Sequence, residues 1–324
     1  MENDLTNPLE LTMGQKLAGS YVLKSRLNDG GRGEIWLADD AVSGKAVSLH
    51  FIPQAIVGDG VVMKRIRQEV KRTQQLIHPN ILRVYDLVEE KGWAAVSMEA
   101  FDGETLATRL VAGGGAGISM GSIQGWMPAL CQTLDDAHGI RFFHRALSPE
   151  NVIFPKRGGV LLKNFGIGRA IEDAVAAAEN RPDDRLGARS PEEVVGGVAS
   201  RVNDIYGVGA LLFEALSGRL PLVGENLVEA VGKVVPDRVG MWRGQGLGVV
   251  PESWEKMIAS CLEKNPGARP ERAGEIAAGL TGAVEEPAVA VVAVKAEPVA
   301  VVEAPVVVEA PVVVVKAEPV AVVE

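Results

Sequence analysis

The stretch FFHRALSPENVIF, residues 142–154, decides the fold of this chain. It opens with a His-Arg pair after two aromatic residues, and it closes with an Asn before an apolar run. Polar residues set between apolar anchors are typical of a loop that carries chemistry on a rigid scaffold. Ala146 and Ser148 stand at its centre, and neither can take a proton from a hydroxyl at neutral pH. The stretch therefore predicts either a catalytic loop or the remnant of one.

Composition limits the classes of protein that the chain can belong to. Its 324 residues are 47% hydrophobic, enough for two domains or one large bilobal domain. The net charge of −9 argues against a general nucleic-acid-binding surface. Cys131 and Cys261 lie far apart in apolar sequence, which is typical of buried thiols in a reducing compartment. With no secretory signal and no run near the roughly 18 apolar residues of a membrane span, we expect a soluble, cytoplasmic protein.

The composition changes near Gly282, where a low-complexity tail begins. Residues 283–324 consist almost wholly of Val, Ala, Glu, Pro and Lys, and KAEPVAVVE occurs at both 295–303 and 316–324. Repeated prolines and the absence of aromatic residues argue against a packed core. We predict a disordered linker that joins the chain to further domains, and a partner-docking segment is the alternative. The chain stops within a repeat, which is typical of the front part of a longer protein.

Hydrophobic periodicity divides the rest of the chain into two parts. Residues 15–98 read as strands around one amphipathic helix, VVMKRIRQEVKRTQQLI at 61–77, whereas the pattern is mostly helical from Thr105 onward. The sequence predicts an α+β bilobal fold with a small β-rich N-lobe (15–98) and a larger helical C-lobe (99–282), after an N-terminal arm (1–14). The C-lobe helices are expected at 119–140, 203–217, 251–263 and 270–281.

Ten motifs in one order and at one spacing together resemble the bacterial serine/threonine protein kinases, the eukaryotic-like family. The resemblance covers about residues 15–282 and implies a kinase-like fold with a nucleotide cleft between its lobes. Activity in this family transfers the γ-phosphate of ATP to protein hydroxyls with Mg²⁺. The motifs are LNDGGRGEIWLA (27–38), VSLHFIP (47–53), Glu69, HPNI (78–81), SMEAFDGETL (97–106), HRALSPENVIF (144–154), LKNFG (162–166), SPE (190–192), DIYGVGALLFEALSG (204–218) and CLEKNPGARP (261–270).

The Gly-rich loop departs from the pattern of the family. Asn28 stands where the first Gly is expected, and Asp29 brings a negative charge near the place of the phosphates, while Gly30 and Gly33 are kept. Asn tolerates unusual backbone dihedral angles, so the turn can survive. The resemblance implies a weakened phosphate site, and a plain hairpin turn is the alternative.

The strand Lys that grips the phosphates in the family corresponds to His50, whose side chain is shorter and largely neutral at pH 7. Glu69 matches the helix Glu of the family. Two interpretations stay open: His50 is a structural residue packed in its strand, or it forms a pH-sensitive contact with Glu69. The resemblance also places Ile35, Met98, Glu99 and Ala100 at the nucleotide cleft.

The positions that carry the chemistry are replaced. The resemblance places Ala146 at the catalytic Asp and Ser148 at the Lys that stabilises the transferring phosphoryl group. A methyl group accepts no proton, and loss of such a base costs ~10²–10⁴ in rate. Asn164 stands at one Mg²⁺ ligand and removes a negative charge, whereas Asn151 is kept at the other. We expect a weak or lost Mg²⁺ site, and Asn164 can serve instead to keep the turn.

The segment 167–189 contains no Ser, Thr or Tyr, so hydroxyl phosphorylation cannot switch it. Arg145, which pairs with a phosphate in this segment in many members of the family, therefore lacks that partner. Asp183 or Asp184 is a candidate for a permanent substitute. By spacing, Asp184 and Arg185 occupy the Gly-Thr positions of the family.

Residues that hold the scaffold together are kept. Glu192 and Arg269 match an ion pair of the family, Asp204 matches the residue that braces the loop, and His144 and Phe165 match packing positions. The sequence therefore predicts a pseudokinase, a protein-binding or allosteric regulatory module for which ATP and Mg²⁺ are possible but doubtful. The alternative is an active ATP-dependent serine/threonine protein kinase.

Overall fold

The fold is described from a computed structural model of the chain. Every described residue belongs to the first of two units, Met1–Pro287 and Ala288–Glu324. The predicted linker, 283–324, and most of the predicted arm lie outside the described residues. The structure describes residues 10–28 (for Asn28 the backbone only), 33–90, 92–180, 183, 185–224, 226–244 and 246–280.

Within these residues, an antiparallel sheet of six strands forms the N-lobe in the order β1-β2-β3-β4-β6-β5. Nearly every residue of its sixth strand, Trp93–Glu99, is buried, because both faces of the sheet are covered. Trp93 and Ala95 pack with Leu49 on one face, and Val96 and Met98 face a helix on the other. The strands are β1 (Lys16–Leu17), β2 (Tyr21–Asn28), β3 (Ile35–Asp40), β4 (Lys45–Phe51), β5 (Val84–Glu90) and β6 (Trp93–Glu99).

The main helix of the N-lobe is α2 (Gly60–Thr73), which follows the short helix α1 (Gln54–Val57). The Asp59 carboxylate caps α2 by accepting hydrogen bonds from two backbone N–H groups of its first turn, at 2.8 and 3.0 Å. The buried residues Met63, Ile66 and Val70 recur at helical spacing and pack on the sheet. The predicted helix at 61–77 is therefore present and ends at Thr73.

The C-lobe is built around the helix α7 (Arg201–Ser217), of whose 17 residues 13 are buried. Gly209 allows α7 to approach the helix α9 (Glu252–Cys261) closely, because a Cβ at this position would lie 2.5 Å from the Cβ of Cys261. A small sheet, β7-β8-β9, carries the loop that precedes β8. The elements are β7 (Gly103–Thr105), α3 (Leu106–Ala112), α4 (Met120–Gly139), β8 (Val152–Pro155), β9 (Leu161–Leu162), α5 (Ile167–Ala178), α6 (Pro191–Val194), α7 (Arg201–Ser217), α8 (Leu227–Lys233), α9 (Glu252–Cys261) and α10 (Ala273–Gly279).

Helix α5 joins the two lobes. Eight of its first nine residues are buried, and Ile167, Ile171 and Val175 belong to the same apolar cluster as Ile66 and Val70 of α2. The sequence analysis did not anticipate this helix, although its apolar residues recur every three or four positions. The segment that follows the NFG motif is therefore part of the core.

The predicted α+β bilobal fold is confirmed, with a β-rich N-lobe and a helical C-lobe. The four expected C-lobe helices are present. Seven of their eight ends differ from the expected bounds by one to three residues. No helix in the described part of the chain has both the length and the apolar character that crossing a bilayer requires.

Candidate functional site

Asp204, at the start of α7, holds the loop that begins at His144. Its carboxylate accepts hydrogen bonds from the backbone N–H groups of His144 at 2.8 Å and Arg145 at 2.7 Å, and its Oδ2 lies 2.8 Å from Nε2 of His138. Arg145 adopts a positive φ of 67°, which these bonds stabilise. Burial lowers the pKa of His144 to about 4, so its ring stays neutral at pH 7. The bracing contact expected of Asp204 is thus present.

Ala146 and Ser148 lie at the centre of this loop, and both are buried. The first turn of α5 packs on the Ala146 methyl group, since a Cβ at Gly168 would lie 3.2 Å from the Cβ of Ala146. The Ser148 hydroxyl is enclosed and has no hydrogen-bond partner among the described residues. Neither side chain offers a proton acceptor of catalytic strength or a cation.

The two residues expected to face Mg²⁺ hydrogen-bond to each other. Asn164 donates from Nδ2 to Oδ1 of Asn151 at 3.0 Å, and Asn151 donates from its own Nδ2 to the carbonyl of Ala146 at 2.7 Å. Asn164 has a φ of 67°, so it also supports the turn before Phe165. The Asn164 N–H that points at Oδ1 of Asn151 repels a cation there, whereas Oδ1 of Asn164 is buried without a hydrogen-bond partner among the described residues. Hard cations require several oxygen ligands, so the two amides in this arrangement make a poor Mg²⁺ site.

Glu69, which the sequence offered as a partner of His50, forms an ion pair with Arg145 among the described residues, at 3.5 Å between Oε1 and Nη1. The His50–Glu69 contact stays a prediction. The Glu69 carboxylate also faces the turn after Phe165, because its Oε2 lies 2.8 Å from the position of a Cβ at Gly166. His50 is buried in β4 and pairs with Ile35 of β3 in the sheet register. The structure therefore favours the alternative of a strand-packed His50, and it gives Arg145 a carboxylate partner.

Part of the predicted nucleotide cleft lies outside the described residues, namely Gly30, Asp29 and the side chain of Asn28. Gly33 is described and has a φ of 107°, and a Cβ at this position would lie 2.0 Å from the Phe51 carbonyl oxygen. Glycine is therefore required there by backbone contact within the sheet. Ile35, the next cleft residue, is buried at the start of β3.

The segment that links the lobes contains the remaining cleft residues. Met98 is fully buried, whereas Glu99 and Ala100 line a cavity of about 240 Å³ together with residues of 155–161. The hydroxyl of Ser48 donates to the Glu99 carbonyl oxygen at 2.6 Å. Sequence reasoning missed Ser48, although it lies two positions before His50 on the same strand face. This bond occupies one acceptor site of the linking segment.

A network of ion pairs holds α5 against the C-lobe. Arg189 contacts Asp173 at 2.9 Å and Glu172 at 3.4 Å, and it also pairs with Asp183. Arg169 lies 2.8 Å from Asp173. Burial raises the pKa of Asp173, but the positive charges of Arg169 and Arg189 lower it by more. The pKa of this carboxyl therefore lies below its ordinary value. Asp183 therefore neutralises Arg189 and not Arg145, and Asp184 lies outside the described residues.

Two further pairs confirm or extend the scaffold that the sequence predicted. Arg269 donates to both carboxylate oxygens of Glu192, at 2.6 and 2.9 Å, which is the expected buttress of the C-lobe. Arg185 donates in the same bidentate way to Glu214, at 2.8 and 2.7 Å, a pair that sequence reasoning missed. Such parallel hydrogen bonds fix the orientation of both side chains.

These observations define the class of protein. A twisted N-lobe sheet with one long helix, a braced loop after α4, a bidentate Arg–Glu buttress and a helical C-lobe are the frame of a protein kinase domain. A sequence model of the protein kinase domain matches residues 21–278. The chain therefore belongs to the protein kinase domain family.

Individual relatives agree with this assignment. The chain is 28% identical over 275 residues to the serine/threonine-protein kinase PrkC of Bacillus subtilis, covering 85% of this chain and 42% of that protein. It is 27% identical over 270 residues to the serine/threonine-protein kinase PknA of Mycobacterium tuberculosis, covering 82% and 61%. The chain thus spans less than two thirds of either relative. The resemblance to bacterial serine/threonine protein kinases is confirmed.

Solved structures support the fold. A double mutant of the kinase domain of PknI from Mycobacterium tuberculosis superposes with a TM-score of 0.68 at 20% sequence identity, covering 84% of this chain and 98% of that domain. A likeness at this identity shows the fold alone.

Proposed function

We propose that this chain is a pseudokinase that works as a protein-binding or allosteric regulatory module. The observation that carries the proposal is the packing of α5 on Ala146, beside the hydrogen bond between Asn164 and Asn151. A helix of the protein itself thus lies at the place where an acceptor hydroxyl and a γ-phosphoryl group would meet.

The replaced groups act together in phosphoryl transfer. Catalysis of this reaction rests on positioning and on charge stabilisation by a base, cations and metal ions. Ala146, Ser148, His50 and Asn164 each remove one of these contributions from the positions that the family resemblance assigns. When several groups act together in one step, the loss of any of them removes most of the catalysis. The remaining rate of phosphoryl transfer should therefore be close to that of the uncatalysed reaction.

We also propose that ATP and Mg²⁺ bind weakly or not at all. The Asn164–Asn151 bond would have to break before Oδ1 of Asn151 could join Oδ1 of Asn164 in binding a cation. His50 is buried within its strand and is shorter than lysine, so it is poorly suited to reach a phosphate. Ser48 already donates to the Glu99 carbonyl of the linking segment.

A protein partner is supported by the surface of the C-lobe. Seven large apolar side chains are exposed between residues 223 and 249, a density of exposed apolar residues that favours a binding surface. We propose that this face, around α8, docks the partner. The apolar residues are Val223, Val228, Val234, Val235, Met241, Trp242 and Val249.

Two proposals from the sequence accompany this one. We propose a reducing, cytoplasmic location, supported by Cys131 and Cys261, which are free and buried. Burial raises the pKa of Cys131 to about 12, which is typical of an inert structural thiol. We also propose that residues 283–324 link the domain to other parts of a larger assembly.

The second candidate is an active serine/threonine protein kinase. It is favoured by the names of the relatives and by the retained scaffold, in which Asp204, Glu192 and Arg269 keep their expected contacts. Activity would require α5 to leave Ala146 and another group to accept the hydroxyl proton.

A phosphotransfer assay separates the two candidates. The purified chain is incubated with labelled ATP and Mg²⁺, alone and with a generic protein acceptor, beside an Asn164→Ala variant. We expect no incorporation above that of the variant. Incorporation by the parent that disappears in Asn164→Ala would establish an active kinase and end the pseudokinase proposal.

Nucleotide binding is tested separately by thermal unfolding with and without ATP and Mg²⁺. A ligand at 100 times its dissociation constant stabilises a protein by about 2.7 kcal/mol, which raises the melting temperature by several degrees. We expect no such rise at millimolar nucleotide. A clear rise would favour a nucleotide-dependent switch within the pseudokinase class.

A further inference from the structure

A second cavity lies in the C-lobe. It is lined by the segment 235–239, by α9 and by residues 262–264, and its volume is about 350 Å³. Ligand sites in proteins have volumes of about 300–1,000 Å³ and mostly apolar walls. Val235, Pro236 and Ala259 supply accessible apolar surface here, next to the buried side chains of Val239, Ile258 and Leu262.

Most charged groups at the rim of this cavity have a partner within the protein. The Glu255 carboxylate accepts hydrogen bonds from the backbone N–H groups of Val239 at 3.1 Å and Gly240 at 2.8 Å. Lys256 pairs with Glu252 at 3.1 Å on the exposed face of α9. These groups are therefore compensated without any ligand.

Lys264 differs from them. It lines the cavity and is half-buried, and its Nζ lies 3.4 Å from the Tyr206 hydroxyl and 5.6 Å from the centre of the Tyr206 ring. In the described part of the chain, no carboxylate forms an ion pair with this ammonium group. Burial and the positive charge of Arg269 lower the pKa of Lys264 to about 8, while Glu263 opposes the shift. The cavity therefore contains a cation to which the described residues supply no ion-pair partner.

We propose that this cavity binds a small molecule with an apolar body and a single carboxylate, which pairs with Lys264. The apolar body fits the accessible apolar surface of Val235, Pro236 and Ala259. One uncompensated cation matches one negative charge, whereas Glu252 and Glu263 at the rim would repel a more highly charged anion. The site is distinct from the nucleotide cleft, and the inference does not depend on whether the chain is a pseudokinase.

Binding is measured by calorimetry on the full chain at pH 7. The probes are straight-chain and phenyl-substituted carboxylic acids of increasing length, each beside its neutral amide. We expect at least one acid to bind about tenfold or more tightly than its amide, because a hydrogen-bonded ion pair forms in a partly dry site. Failure of every acid to bind better than its amide would overturn the proposal.

Three variants locate the effect. Lys264→Met keeps the length of the side chain and should abolish the preference for the acid, whereas Lys256→Met changes a paired, exposed lysine on the same rim and should leave it intact. Ala259→Trp fills the cavity from an exposed helix position and should abolish binding of acid and amide alike. A preference that survives Lys264→Met, or binding that survives Ala259→Trp, would place the ligand elsewhere and refute the assignment.

Discussion

Replacing Arg189 by Leu should release helix α5 from the C-lobe. The Arg189 guanidinium contacts Glu172, Asp173 and Asp183, and only 11% of its side chain is exposed. Without it, three carboxylates lose the cation that they share in a largely buried place, although Asp173 keeps its pairs with Arg169 and Arg65. Removing one member of a buried ionic group costs about 3–5 kcal/mol. We expect the free energy of opening α5 to fall by about this amount.

Native-state hydrogen exchange measures that opening directly. A loss of about 3–5 kcal/mol corresponds to exchange about 150- to 5,000-fold faster at the α5 amides. Amides of α7 should stay protected, because their protection reflects the C-lobe core. Arg65→Leu is the matched control: Arg65 is 47% exposed and lies 3.5 Å from Asp173, so its loss should cost less than about 1 kcal/mol. Unchanged exchange of α5 in Arg189→Leu would refute the view that the ion pairs hold this helix.

Three other changes test the scaffold. Arg269→Met should destabilise the fold by about 3–5 kcal/mol in urea unfolding, because it leaves Glu192 without its bidentate partner; an effect below 1 kcal/mol would contradict this role. Ser48→Ala should cost about 0.5–1.5 kcal/mol by removing the bond to the Glu99 carbonyl, and an unchanged or raised melting temperature would argue against that bond. The folded-state pKa of His144 is about 4 against an ordinary 6.5, so the unfolded chain takes up the proton first as pH falls. Stability should therefore decline between pH 6.5 and 4 by up to ~3 kcal/mol, a slope that His144→Gln should remove and that urea unfolding at several pH values would reveal or exclude.

The sequence predicted those parts of the fold that depend on local pattern and on motif spacing. Strand alternation and helical periodicity marked the two lobes. Strand and helix patterns do not identify Asp204, Glu192 and Arg269. These residues were predicted because their motifs follow the order and spacing of the kinase family. Their contacts are present in the structure as expected. Phe165 is buried, as its packing position predicted. Gly33 approaches the backbone of Phe51, and its part in a nucleotide cleft stays a prediction.

Contacts between distant segments could not be predicted in the same way. The choice of Arg145 as partner of Glu69 depends on where α2 lies relative to the loop, which no local pattern determines. The bond from Asn164 to Asn151 depends on the orientation of two amides brought together by folding. The apolar residues of α5 do recur at helical spacing. The lack of hydroxyl groups in this segment indicates only that phosphorylation cannot switch it, and predicts no structure. Lys264 stands in a motif, CLEKNPGARP, whose cavity appears only when the chain is folded.

The burial of α5 has a mechanical consequence. Its apolar side chains pack with those of α2 and with Ile153 and Leu161 of the strands that carry the loop, so the two lobes share one apolar cluster. Bending between the lobes would expose these side chains to water, so the shared cluster opposes such bending. Undocking of α5 would remove that resistance.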